Sequence, residues 1–135
     1  MRFLRSPHVH ASLCAATIAV LMMLPAGAFP EFRFWLPLTL EQWIDKIQHV
    51  IAFMVMTVFV ARSLNEFGWI LRPVLMAAVL TLGFSYFLEV MQALVPWRYF
   101  DLRDIVADTV GVLLAVPMAT RVVRSRIRRL SPNRF

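Results

Sequence analysis

The sequence predicts an all-α, polytopic transmembrane helix bundle of about four spans, and three observations predict it. Of 135 residues, 60% are hydrophobic and only 16% are charged, too thin a polar cover for a soluble domain of this size. The mean hydropathy is +0.69. The apolar residues gather in four stretches, each near the ~20 residues that a helix needs to cross a hydrocarbon core of about 30 Å.

Those stretches are residues 11–29, 47–64, 70–95 and 102–123. Backbone groups in lipid must be satisfied within the segment, so the spans are expected to be helical. Pro73 falls in the first turn of the third span, where a missing N–H costs little. Pro117 falls inside the fourth and is expected to kink it. The connection from Phe29 to Trp43, rich in aromatics and prolines, is expected to lie in the membrane interface as a short re-entrant or amphipathic piece. The whole chain, 1–135, reads as one membrane domain.

Charge orients the bundle. The net charge is +6, but the arginines sit at the chain ends and beside apolar runs, which is the pattern of membrane orientation rather than of nucleic-acid binding. Arg2, Arg5, Arg62, Arg72, Arg121, Arg124, Arg126, Arg128, Arg129 and Arg134 fall on one side of a four-span arrangement. Glu31, Glu41, Asp45, Glu89, Asp101, Asp104 and Asp108 fall at or near the other. The positive-inside rule then places both termini in the cytoplasm. Trp35, Trp43, Trp69 and Trp97 all fall at span ends, as an aromatic belt requires. Arg2 and Arg5, an apolar run and Ala26-Gly27-Ala28 also read as a signal peptide with its cleavage site, which would leave three spans. Cys14 is the single cysteine, so neither an intramolecular disulfide nor a cysteine zinc site is available.

The polar residues inside the spans fall on helix faces. Asp45, His49 and Phe53 recur at i, i+4 and i+8, with Lys46 beside them. Ala78, Thr81, Ser85, Glu89 and Gln92 form one small and polar stripe on the third span. Asp104 and Asp108 stand four apart beside Ala107, Gly111, Ala115 and Ala119, a small-residue ladder that faces other helices. Arg98 and Arg103 lie in the connection between the third and fourth spans. Glu89 and Asp108 are each about six residues from the end of their spans, or roughly 9 Å below the outer rim, so they are expected at one level on antiparallel neighbours. Unpartnered charges at mid-bilayer cost about 2.5–3.5 kcal/mol each on insertion scales. An inward-facing cluster that shares Lys46, Arg98 and His49 as partners is the economical arrangement. Asp45 and Asp104 also read as N-caps of their helices, Lys46 and Arg98 as interface anchors, and His49 as a packed histidine.

These residues resemble the signature of the VanZ-like family of small bacterial membrane proteins. An Asp-Lys-x-x-His segment with an aromatic one turn later is matched by Asp45, Lys46, His49 and Phe53. A Glu-x-x-Gln followed by Pro and Arg is matched by Glu89, Gln92, Pro96 and Arg98. An Asp-x-x-x-Asn-x-x-Gly is matched by Asp104 and Gly111, with Asp108 where the family usually has Asn. The match spans residues 45–119. The resemblance implies a helical domain in the cytoplasmic (inner) membrane and a link to the cell envelope, since the family takes its name from a member associated with teicoplanin resistance.

Two functions compete. One is a non-catalytic protein in which Lys46 and Arg98 recognise the phosphate or carboxylate of a lipid-linked cell-wall precursor, with Asp45, Glu89, Asp104 and the neighbouring His49, Gln92 and Asp108 completing the site. The other is a membrane-embedded hydrolase or transferase with Glu89 or Asp104 as general base, His49 as its acid partner, and Ser85 one turn from Glu89 as a nucleophile without an activating motif. No metal site and no cofactor is expected, and a divalent cation enters only with the enzyme reading. Membrane lipids are the expected surroundings. Proton movement ranks last, because no polar path leads to the cytoplasmic side.

Overall fold

A computed structural model describes residues 6–24, 38–65, 72–96 and 99–130. Among them the chain forms four helices and no strand: α1 (Pro7–Met23), α2 (Leu38–Leu64), α3 (Arg72–Ala93) and α4 (Leu102–Leu130). Three contain apolar segments long enough to cross a membrane, Gln42–Leu64, Pro73–Ala93 and Leu102–Ser125, of 23, 21 and 24 residues. At 1.5 Å per residue these reach roughly 32–36 Å.

The first helix differs from expectation. It runs Pro7–Met23 rather than 11–29, and its 17 residues reach about 25 Å, less than the other three. Pro7 explains the early start, because proline is preorganised for a first helical turn. Ala26-Gly27-Ala28 lies outside the described residues. The second helix begins at Leu38, ahead of the apolar stretch that starts at residue 47, so residues 38–43 are helical. Leu, Glu and Gln are good helix formers and no Gly or Pro interrupts 38–46. Residues 29–37 lie outside the description. Pro73 stands in the first turn of α3 as expected, and α4 continues through Pro117.

The helices alternate in direction. Ser63, near the C-terminus of α2, pairs with His8, near the N-terminus of α1. Ala61 and Val74 pack with Ala77, Ala119 and Val123, which brings the start of α3 and the far end of α4 to that same end. At the opposite end, Gln92 of α3 donates a hydrogen bond to the carbonyl of Met22 in α1. The middle layer is Ile18, Phe53, Met56, Leu88 and Val112. Leu75, Val79, Phe87, Leu113 and Leu114 point outward and are at least half exposed, an apolar exterior suited to lipid.

The most extensive interface joins α2 and α4, and Gly111 sets its spacing. A Cβ at Gly111 would stand 2.3 Å from the Val50 carbonyl oxygen. Only a glycine lets the α2 backbone come this close. Ala107, Ala115 and Ala119 are buried on the same side of α4, which is the small-residue packing read from the ladder.

Candidate functional site

At the end of the bundle away from Arg62 and Arg121, α2, α3 and α4 present polar side chains to one another. Lys46 lies between α2 and α4. Its Nζ is 3.3 Å from Asp45 Oδ2 and 2.9 Å from Asp101 Oδ2, and it donates a hydrogen bond to Asp104 Oδ1. Three carboxylates therefore surround one ammonium. Asp101 also accepts the backbone N–H of Arg103 at 2.8 Å, which makes it the N-cap of α4. Burial works to raise the Asp101 carboxyl, but the Lys46 and Arg103 hydrogen bonds and charges outweigh it and hold it below the ordinary carboxylate value.

A second group lies deeper. His49 Nδ1 is 2.8 Å from Asp108 Oδ1, and Ser85 donates its hydroxyl to Asp108 Oδ2 at 2.5 Å. Phe53, one turn along α2, stacks on the imidazole with ring centroids 6.4 Å apart and planes inclined by 9°. The ring is thus fixed by a carboxylate at one edge and an aromatic beside it. Its other nitrogen, Nε2, is buried and has no hydrogen-bond partner among the described residues. It faces Asp104 Oδ2 at 3.8 Å.

The structure brings together Asp45, Lys46, His49, Asp104 and Asp108, as the helix faces predicted. Glu89 joins them at the rim, where its Oε2 accepts the backbone N–H of Asp101 at 3.1 Å. Glu89 and Asp108 are not at one level: Glu89 pairs with the start of α4, and Asp108 pairs with Ser85, one turn earlier in α3. The cause is that α3 ends at Ala93, so Glu89 is four residues from its helix end while Asp108 is six from its own. Gln92 is buried but spends its amide on the α1 carbonyl, a tie between helices. Arg98 lies outside the described residues.

The cap readings move as well. Asp45 is inside α2 and caps nothing, and the cap of α4 is Asp101 rather than Asp104. Asp101 and Ser85 are the site residues given too little weight in the sequence. The Asp101-x-x-Asp104 spacing before an apolar run was the signal for the first. For Ser85, its place on the polar stripe was the signal, but the partner chosen for it was Glu89 rather than Asp108.

Chemically, the described cluster is rich in acid. Asp45, Glu89, Asp101, Asp104 and Asp108 face Lys46 and His49, all within hydrogen-bonded or ion-pair reach of a neighbour. Glu89, Asp108 and His49 are each no more than 2% exposed. Such a site suits a cation or a hydrogen-bond donor better than a bare anion. The carboxylate-bound imidazole presents a nitrogen lone pair toward Asp104 when Nδ1 carries the proton.

No curated protein and no solved structure matches the chain. The model of the VanZ/LLP1 family matches residues 3–124, and the chain belongs to that family.

Proposed function

We propose that this VanZ/LLP1 protein is a multi-pass protein of the bacterial inner membrane that holds the polar head group of a lipid-linked envelope ligand at the outer end of its bundle. The observation that carries the reading is the buried, hydrogen-bonded cluster with one imidazole nitrogen, His49 Nε2, that is unbonded among the described residues. Ionisable residues buried in a span are costly to insert, which supports a functional role for the cluster. Arg62, Arg121 and Arg124 at the opposite end support a cytoplasmic placement of both termini. The ligand we infer is a lipid-linked cell-wall precursor, and altered susceptibility to teicoplanin-type glycopeptides is the expected consequence in cells.

The contact with an anionic head group is not made by Lys46 alone, because three carboxylates already surround that ammonium. Arg98, which in the sequence falls between α3 and α4, is the arginine that we propose adds to it. The test is a thermal-shift titration of the detergent-purified protein with a polyprenyl phosphate. Stabilisation of wild type that is lost in Arg98→Ala and in His49→Gln is the expected result. An unchanged melting temperature across the titration would overturn the reading.

A hydrolase or transferase acting on such a lipid is the second reading, favoured by the orientation of His49. Asp108 holding Nδ1–H leaves Nε2 as a general base, with Asp108 in the orienting role. Ser85 donates to Asp108 rather than to His49, so an attacking group on this reading is water or a substrate hydroxyl. Glu89, engaged by the Asp101 N–H, is a rim residue rather than the base. Turnover of a lipid-linked pyrophosphate abolished by His49→Gln but kept by Glu89→Gln would favour it, and turnover kept by His49→Gln would exclude it.

A further inference from the structure

We propose that Asp45, His49 and Asp104 form a binding site for one divalent transition-metal ion. A ligand atom of each lies within 4.8 Å of the others. A group of acids alone would carry no such assignment, since Lys46 already neutralises part of it. The independent observation is His49, whose side chain is 3% exposed and whose Nε2 has no hydrogen-bond partner among the described residues. That nitrogen points at Asp104 Oδ2 from 3.8 Å, too far for a hydrogen bond. It is near enough for both atoms to reach one ion at metal–ligand distances of about 2.0–2.2 Å.

The surroundings of the imidazole match the same use. Metal-bound histidines generally donate their other ring N–H to a carboxylate, which fixes the tautomer and strengthens the ligand nitrogen. Asp108 stands in that position at 2.8 Å. Asp108 is in turn held by the Ser85 hydroxyl. Lys46 does not take the same oxygen: it bonds Asp104 through Oδ1, while Oδ2 is the atom turned to His49. Charge favours the ion too. Five carboxylates against one lysine leave an excess of four negative charges when all are ionised, and a dication removes two of them without protonating any.

The donor set selects the metal. One imidazole and two carboxylates suit Zn²⁺ or Mn²⁺, whereas Mg²⁺ and Ca²⁺ favour oxygen ligands throughout. Three protein ligands leave a coordination position open. The proposal deepens the reading above, because an ion here would supply the positive charge to a phosphate that Lys46 cannot spare. Ion binding is measured without lipid, so failure to bind lipid and failure to bind metal are separate results.

The experiment uses the full chain purified in detergent without a histidine tag, stripped with chelator and titrated with Zn²⁺, Mn²⁺, Mg²⁺ and Ca²⁺. Bound metal per chain is read by mass spectrometry of the elements, together with melting temperature. One equivalent of Zn²⁺ or Mn²⁺ and a raised melting temperature are expected for wild type. His49→Gln and Asp104→Asn should lose the ion, and Gly83→Ala, outside the cluster, should keep it. Asp45→Asn, at a half-buried position, should weaken affinity by at least tenfold while helicity is unchanged, which guards against loss of the fold in the buried variants. Co²⁺ as a spectroscopic probe should give visible bands characteristic of nitrogen and oxygen ligands in wild type only. No metal above background on folded wild type, or equal binding in His49→Gln and Asp104→Asn, would overturn the proposal.

Discussion

Gly111→Ala tests how the fold positions the site. The new methyl group would stand 2.3 Å from the Val50 carbonyl oxygen and 3.0 Å from its carbonyl carbon. Ordinary carbon–oxygen contacts lie near 3.3 Å, so the deficit is about 1 Å. The obstacle is backbone and cannot swing aside, so α4 must move away from α2. Overpacking of this kind costs about 1–3 kcal/mol. The displacement also reaches Asp108, one turn before Gly111, and adding about 1 Å to its 2.8 Å contact with His49 passes the limit of a hydrogen bond. The total expected loss is about 3 kcal/mol. Gly83→Ala is the control: no atom lies within 4 Å of a Cβ there, and helix propensity favours alanine by up to about 1 kcal/mol. Reversible unfolding in mixed detergent micelles, followed by helical circular dichroism, measures both. If Gly111→Ala unfolds within about 0.5 kcal/mol of wild type, the close approach of α2 and α4 is not as described.

Four further outcomes follow from single residues. The buried Thr81 hydroxyl has no hydrogen-bond partner among the described residues, so Thr81→Val should be neutral or stabilising by up to about 1–2 kcal/mol; a loss above about 1 kcal/mol would show that the hydroxyl is bonded. Asp108→Asn keeps an oxygen for His49 Nδ1 and can turn its amide toward the Ser85 oxygen, so the melting temperature should change little while affinity for Zn²⁺ falls. Glu89→Gln keeps an acceptor for the Asp101 N–H and should fold like wild type in the same unfolding assay, whereas Glu89→Leu should be less stable. Asp101 is held below its ordinary value, so its contribution is complete above about pH 4 and is lost as pH falls through the lowered folded value. Melting temperature against pH should therefore fall less steeply in Asp101→Asn on the acid side, and identical acid limbs would contradict the Lys46–Asp101 pairing.

The helix faces were legible because two periods coincide in this sequence. Four-residue spacing put Asp45, His49 and Phe53 on one face, and lipid forces every other face to be apolar, so polar residues inside a span have only the interior to occupy. Thr81, Ser85, Glu89 and Gln92 are all buried for that reason. What the sequence hid was register, because hydropathy marks where a span becomes polar and not where its helix ends. Glu41, Gln42, Asp45 and Lys46 look like an exit from the membrane, yet the backbone of α2 runs through them from Leu38. The two-residue difference at the end of α3 was enough to pair Asp108 with Ser85 instead of Glu89.

That shift of one turn changes the chemistry of the site. With Glu89 beside Asp108, two carboxylates would face each other and one proton would serve both. With Ser85 there, Asp108 is bonded on both oxygens and is left with one task, which is to hold the His49 ring. The same reasoning gives the charge of Asp108 a task of its own. An amide would orient the imidazole equally well through its oxygen. A carboxylate also raises the electron density at Nε2 and strengthens it as a base or a ligand. Substituting Asp108 by Asn therefore separates orientation, which should survive, from the electrostatic effect, which should not.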